Sequence, residues 1–540
     1  MKSRAPRALR AFGAVVLFLS VCALGGSLLE RRVSAQSAAD EGQFRDSLRQ
    51  FTSVYSLVEQ NYAEPIDGEK ADTAIYDGAI PGMLRVLDPH SNFYDPKAYA
   101  KMREDQHGRY YGVGMLIQQQ NNKVYVVTPY EGTPSYKAGI RPADIIAAID
   151  GKSTDGMTSD LVAKSLKGPK GTHVQVSMVR EGQDKPLVFD LIRDEIPHPS
   201  VDLKYEIRPG VAYVHLTQFQ ETTAQEVIEA IDGFGDLKGL VLDLRGNPGG
   251  LLSQAVEVCD HLLTKGQNIV SQRGRAYPDQ VYTATHGNGG KTFPIVVLVN
   301  RSTASAAEIV SGALQDHDRA LIVGETTFGK GLVQTVYNLN ENTGLALTTY
   351  HYYTPSGRLI QRNYAGVSLY DYYYNHAGAQ PADTTNREVK FTDAGRTVYG
   401  GGGITPDEKI ESPKSNHFQD VLLYDKQVFF HFAARYLANR TVDQNFKVDE
   451  PVMVEFKKYL TDQNIPWTEA DLKGAEDWIK INIKEKIVTS QFGQLQGLRT
   501  LADWDPTIQK AITYLPEAQT LEDTAHKVLV QKAQLEQQGK

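Results

Sequence analysis

One stretch limits the fold more than any other: Pro294 to Gln334, PIVVLVNRSTASAAEIVSGALQDHDRALIVGETTFGKGLVQ. Ile295 to Val299 is a short, unbroken run of mostly β-branched apolar residues, which predicts a buried strand. Asn300 to Ser302 break it. The small residues Thr303 to Ala307 then lead into a helical pattern, with Ile309, Val310, Ala313 and Leu314 on one face and Glu308 in the first turn, where the helix dipole favours an acid. Ala320 to Val323 predicts a second buried strand. Phe328-Gly329-Lys330-Gly331 follows, with its lysine between two glycines.

Strand, tight turn, serine and helix together put the Ser305 hydroxyl and the next N–H groups at a helix N-terminus, a place suited to developing negative charge. Lys330 lies in an apolar, glycine-rich loop, where desolvation disfavours its ammonium form. A neutral amine can serve as the base that activates a serine. Gln334, four residues on, can face the same way and orient that amine. Taken singly, such a serine is a helix cap and such a lysine a turn residue.

The segment TASAAEIVSGALQDHDRALIVGETTFGKGLVQ resembles the core of the C-terminal processing (tail-specific) proteases, peptidases that use a Ser-Lys dyad and carry a PDZ domain. The resemblance puts their serine at Ser305, their lysine at Lys330 and their glutamine at Gln334. Ala307 departs from it, since the family often has a second serine there. Asp243-Leu244-Arg245-Gly246-Asn247-Pro248-Gly249-Gly250 resembles the family's loop that supplies an oxyanion N–H. The resemblance assigns that donor to Gly250 first and Gly249 second, with the Ala306 N–H as the other. Tyr352 to Arg358 resembles a family segment near the active site. Asp88-Pro89-His90-Ser91 resembles a family turn before the second domain; His90 reads there as a structural histidine closing the turn.

Gly108 to Arg193 looks like a PDZ domain. Its loop Gly112-Val113-Gly114-Met115 runs into a strand and can present N–H groups to a peptide carboxylate, while the strand edge pairs with the peptide. Asp150-Gly151 is a hairpin signal. From Ile196 strands alternate with helices, which argues for an α/β layer with a mostly parallel sheet. Tyr364 to Tyr374 reads as an aromatic and polar surface loop. Beyond Glu411 the pattern is helical. The expected organisation is therefore α/β and α+β multidomain: 1–35 a signal peptide or anchor, 36–105 helical, 106–195 PDZ, 196–410 the protease core, and 411–540 a helical extension.

Lys2, Arg4, Arg7 and Arg10 precede an uncharged run from Ala11 to Leu29, and Val33-Ser34-Ala35 resembles a cleavage site. This pattern predicts export to the periplasm, by a cleaved signal or with residues 11–29 kept as an inner-membrane anchor. The net charge of −8 argues against a general nucleic-acid binder. Gly290-Lys291-Thr292 lacks the glycine pattern of a phosphate loop, and no zinc spacing is present. The expected partners are proteins or peptides with accessible C-termini, with a homo-oligomer open; no metal or cofactor is expected. Two rival readings stand: a PDZ scaffold without catalysis, and a Ser-His-Asp hydrolase using His317 or His286.

Overall fold

The computed structural model describes residues 42–66, 68–339, 342–375 and 387–538. The expected export signal and the alternative anchor lie outside these residues. Among the described residues no helix is long and apolar enough to cross a membrane. The chain divides into two units, 1–83 and 84–540. The first contains a helix over 42–61 and a second helical run that passes from Gly68–Thr73 into a π-turn at Ala74–Ala79.

In the second unit the PDZ domain is an antiparallel sheet whose edge strand, Met115–Gln120, pairs with Lys123–Pro129. The helix Ser159–Leu166 buries Val162 and Leu166 with Val113, Met115, Val126 and Met178. Asp150 and Gly151 both take positive φ, 48° and 75°, as the tight hairpin turn requires.

The core is a six-stranded sheet: β1 (Val201–Arg208), β2 (Val211–Leu216), β3 (Gly239–Asp243), β4 (Ile295–Val299), β5 (Leu321–Gly324) and β6 (Glu408–Lys409), in that order. Only β1 and β2 run antiparallel. Side chains alternate between faces, and both faces are apolar because both are covered. Val214, Leu242, Val297 and Ile322 pack under α1 (Thr223–Asp232), α2 (Leu252–Leu262) and α3 (Ala306–Asp316). Tyr213, Val241, Val296 and Leu321 pack under the last three helices, α4 (Gln494–Trp504), α5 (Pro506–Thr513) and α6 (Leu515–Gln538), through Ala502, Ile508, Ala511, Leu515 and Ala518. Residues 418–487 build a separate helical core around Phe429, Phe456 and Ile483.

A second sheet joins Leu332–Asn338, Gly344–Tyr353, Asn268–Arg273 and Gln280–Thr283, with the short strand Asn92–Tyr94 at one edge. The 360s and 370s depart from the expected surface loop. Ser368 caps a short helix at Leu369–Tyr373, and Tyr372 is buried against Ala304 and Phe328. An aromatic ring there is worth more against two apolar neighbours than in water.

Candidate active site

Two loops meet at the carboxyl ends of β3 and β4. Asn300 binds them together: its Oδ1 accepts the N–H groups of Gly246 and Ser302. The Ala304 N–H donates to Asn247 O at 2.9 Å, and Thr303 Oγ1 donates to Leu244 O at 2.8 Å. Ser305 is thereby held at the head of α3 with φ 54° and ψ −115°. Positive φ in a non-glycine residue costs roughly 1–3 kcal/mol and persists only where the surroundings enforce it. Tyr352 helps enforce it by donating its hydroxyl to Ser305 O at 3.2 Å.

Gly249 touches this elbow directly. It has φ +94°, and a Cβ there would lie 2.7 Å from the Ser305 Cβ and 2.8 Å from the Ala306 N. The two glycines of the loop are not equivalent as donors. The Gly249 N–H is already taken by Asn247 Oδ1 at 2.8 Å, which removes it as a candidate oxyanion donor. Phe219 lies beside Gly250: the Phe219 N–H donates to Gly249 O, and Phe219 O accepts from Leu251 N. Among the described residues the N–H groups of Gly250 and Ala306 carry no hydrogen bond.

Glu308 is the centre of the site, and the sequence reading gave it only a dipole role. Its fully buried carboxylate accepts four hydrogen bonds. Oε1 takes the Thr327 hydroxyl at 2.5 Å and the Gly329 N–H at 2.7 Å. Oε2 takes the Ser305 N–H at 2.8 Å and the Lys330 N–H at 2.9 Å. One oxygen thus grips both backbones, so the nitrogens of 305 and 330 are no further apart than the sum of those two lengths. The capping pattern, serine followed three residues on by glutamate, was the signal available for this role. Burial pushes the Glu308 carboxyl up while its donors pull it down. Burial is the larger influence, so the carboxyl is held above its usual value.

The lysine loop is clamped from its other side. Arg362 N donates to Gly329 O, Tyr352 N to Gly331 O, and Gly331 N to Gln361 Oε1. Burial is the largest influence on the Lys330 amine and pushes it below its usual value, against opposite pulls from Glu308 and Asp88. Gln334, on Leu332–Asn338, donates its amide N–H to Thr348 Oγ1 at 3.3 Å.

The turn Asp88–Ser91 also belongs here. The ring nitrogens of His90 meet the Tyr372 and Tyr373 hydroxyls at 2.9 and 3.2 Å, and its ring packs edge-on to Phe328. Burial, then the Lys330 charge, lowers His90 to about 3. His90 is therefore a neutral imidazole beside the lysine.

The other histidines are elsewhere. His317 ends α3, the opposite end from Ser305 and about 18 Å along the axis. Its nitrogens are held by Asp393 Oδ2 at 2.8 Å and Asn268 O at 2.6 Å. His286 is tied to Asp260, near the C-terminal end of α2. Neither is part of a triad with Ser305. Among the described residues no cluster of His, Cys, Asp and Glu is arranged to hold a metal.

The glycine loop Gly112–Met115 of the PDZ domain is tightly packed. Gly114 has φ +77°, and a Cβ there would meet the Thr133 side chain at 2.3 Å. Thr133 Oγ1 and Tyr130 N both donate to Gly114 O. Val113 and Met115 point into the domain core, and Gly112 ends the strand that pairs with Asp194–Pro197. The N–H groups of Val113 and Gly114 carry no bond among the described residues.

Residues 210–368 match Peptidase family S41, and residues 112–191 match a PDZ domain. The carboxy-terminal-processing protease of Bartonella bacilliformis is 40% identical over 354 residues, which are 64% of this chain and 80% of that protein. The carboxy-terminal processing protease CtpA of Bacillus subtilis is 33% identical over 333 residues, 61% of this chain and 70% of its own length. Among solved structures, the photosystem II D1 C-terminal processing protease aligns over 67% of this chain and 86% of its own, with 29% identity and a TM-score of 0.35.

Proposed function

The chain belongs to the carboxy-terminal-processing proteases, and from that premise we propose that it is an exported serine endopeptidase working through a Ser305–Lys330 dyad. Ser305 Oγ attacks a substrate carbonyl while the neutral Lys330 amine takes its proton. The tetrahedral oxyanion is met by the Ala306 and Gly250 N–H groups, each worth about 3 kcal/mol if it behaves like other oxyanion donors. Lys330 then passes the proton to the leaving amine. The acyl group on Ser305 is released by water, with Lys330 again as the base. Gln334 orients the amine. The Gly112–Met115 loop receives the substrate's C-terminal carboxylate, and the edge strand Met115–Gln120 adds the tail as a further strand.

One observation carries this reading: a single buried carboxylate oxygen accepts both the Ser305 and the Lys330 N–H, so hydroxyl and amine start from adjacent backbones. The export part rests on the basic residues before the uncharged run 11–29. The test is digestion of an unstructured protein with apolar C-terminal residues. Ser305→Ala and Lys330→Ala should each abolish cleavage, and His317→Ala should keep it. Products unchanged by Ser305→Ala would remove the assignment.

A further inference from the structure

The turn Asp88-Pro89-His90-Ser91 is more than a connection. Asp88 is buried and its carboxylate accepts three bonds within the turn, each at 2.7 Å: Oδ1 from the N–H groups of His90 and Ser91, and Oδ2 from the Ser91 hydroxyl. In this arrangement all three partners donate to Asp88. The Ser91 hydroxyl has one proton and gives it to Asp88. Its oxygen is then an acceptor, and it takes the Thr348 N–H at 3.1 Å. Thr348 Oγ1 lies 3.4 Å from Ser91 Oγ and accepts the Gln334 amide N–H at 3.3 Å. The Gln334 amide donates to Thr348 Oγ1 and the Thr348 backbone N–H to Ser91 Oγ, while the Ser91 hydroxyl faces Asp88 Oδ2 at 2.7 Å and, at a longer 3.4 Å, Thr348 Oγ1. This arrangement points the nitrogen end of the Gln334 amide at Thr348 and leaves the oxygen end for a donor.

We propose that this turn is a positioning element of the active site: Asp88 holds a fixed negative charge near Lys330, and Ser91 with Thr348 sets which way the Gln334 amide faces. The proposal rests on the dyad reading and adds residues to it. Charged or titratable groups face Lys330 and its neighbour His90 from three elements. Glu308 comes from the first turn of α3, Asp88 and His90 from this turn, and Arg362 from the loop whose backbone clamps Gly329. Asp88 and Glu308 favour the ammonium form, burial opposes it, and His90 is uncharged in any working range. Asp88 therefore works against the free base. Its loss should make that base available at lower pH.

The experiment is the pH dependence of kcat/KM on the unstructured protein substrate, for the wild type, Asp88→Asn and Ser91→Ala. Thermal unfolding and fluorophosphonate labelling of Ser305 are measured alongside. Asp88→Asn keeps the size of the side chain. It should move the acid limb of the profile down by about one pH unit, the order by which a nearby opposite charge shifts a partner. Ser91→Ala keeps the two backbone bonds to Asp88. It should leave the acid limb in place and lower kcat about tenfold with KM little changed, the order expected for one lost hydrogen bond in a network. Both variants should still label with the fluorophosphonate. A role confined to holding the turn together would lower the unfolding temperature and reduce activity equally at every pH. That result, or an Asp88→Asn acid limb coinciding with the wild type, overturns the proposal. Should Asp88→Asn fail to fold, Ser91→Ala decides by itself, because a kcat equal to the wild type would overturn the chain to Gln334. Failure of the dyad itself reads out separately, as cleavage or labelling that survives Lys330→Ala.

Discussion

At Glu308 a single side chain does the work of a framework. Its four donors come from the head of α3 and from the lysine loop. Glu308→Gln is nearly isosteric, but its amide NH₂ must face two of those donors. A buried donor left without an acceptor costs about 1–3 kcal/mol. The variant should therefore lose about 3 kcal/mol in urea unfolding, and kcat should fall about 100-fold as Ser305 and Lys330 drift from their geometry. On the proposed dyad, Lys330 sets the pH dependence. Its amine must be free to take a proton, so kcat/KM should fall as pH drops through the Lys330 value, which burial places below that of an ordinary lysine. His90 titrates near 3 and cannot produce that limb. A pH profile whose acid limb sits unmoved in a Lys330→Arg variant would contradict this. Motif and spacing alone single out Ser305, Lys330 and Gln334 as candidates. Asp88 and His90 carry no chemistry legible in the sequence, because the groups that matter to them, Tyr372 and Lys330, lie more than two hundred residues away in the chain.

The loop Thr327–Gly331 shows the same division at the level of an element. Its two glycines were visible as a motif, but the reason for them is backbone packing. Gly329 has φ +85°, and a Cβ there would lie 2.9 Å from the Gly403 N and 3.0 Å from the Arg362 Cβ. At Gly331 a Cβ would lie 2.8 Å from the Gln361 N. Gly329→Ala combines an unfavourable φ with overpacking and should cost about 2–4 kcal/mol. Thermal denaturation measures it, and a loss under about 1 kcal/mol would mean that the loop yields freely. The strands Ile295–Val299 and Leu321–Gly324 were plain in the sequence, since a run buried on both faces has no polar residue to obscure it. The strands Leu332–Asn338 and Asn268–Arg273 were not, because half-exposed strands carry polar residues that read equally well as loop. The segment 364–374 misled for the same reason: its many hydroxyls suggest solvent, yet Tyr372 is 1% exposed and packs against Ala304 and Phe328.

For the whole molecule, the C-terminal helices carry a burden that their sequence does not announce. Helices α4 to α6 cover one entire face of the core sheet, and Arg245 joins the loop after β3 to Asp505 at 2.9 Å. Leu515 sits on Gly239, where a Cβ would be 2.9 Å from its methyl carbon. Leu515→Ala should destabilise the core by about 3 kcal/mol, read from denaturant unfolding. Deleting 494–540 should leave the core insoluble, since it bares a sheet face of Val, Leu and Tyr side chains; a soluble, active truncated enzyme would refute that role. From its residues alone the chain declared its α/β core and its PDZ domain and singled out a candidate serine and lysine, because periodicity and motif spacing are local properties. Tertiary structure alone decided which glycine N–H stays available, which carboxylate grips both halves of the site, and which helices close the sheet. Each of those depends on groups that only folding brings within hydrogen-bond or van der Waals reach.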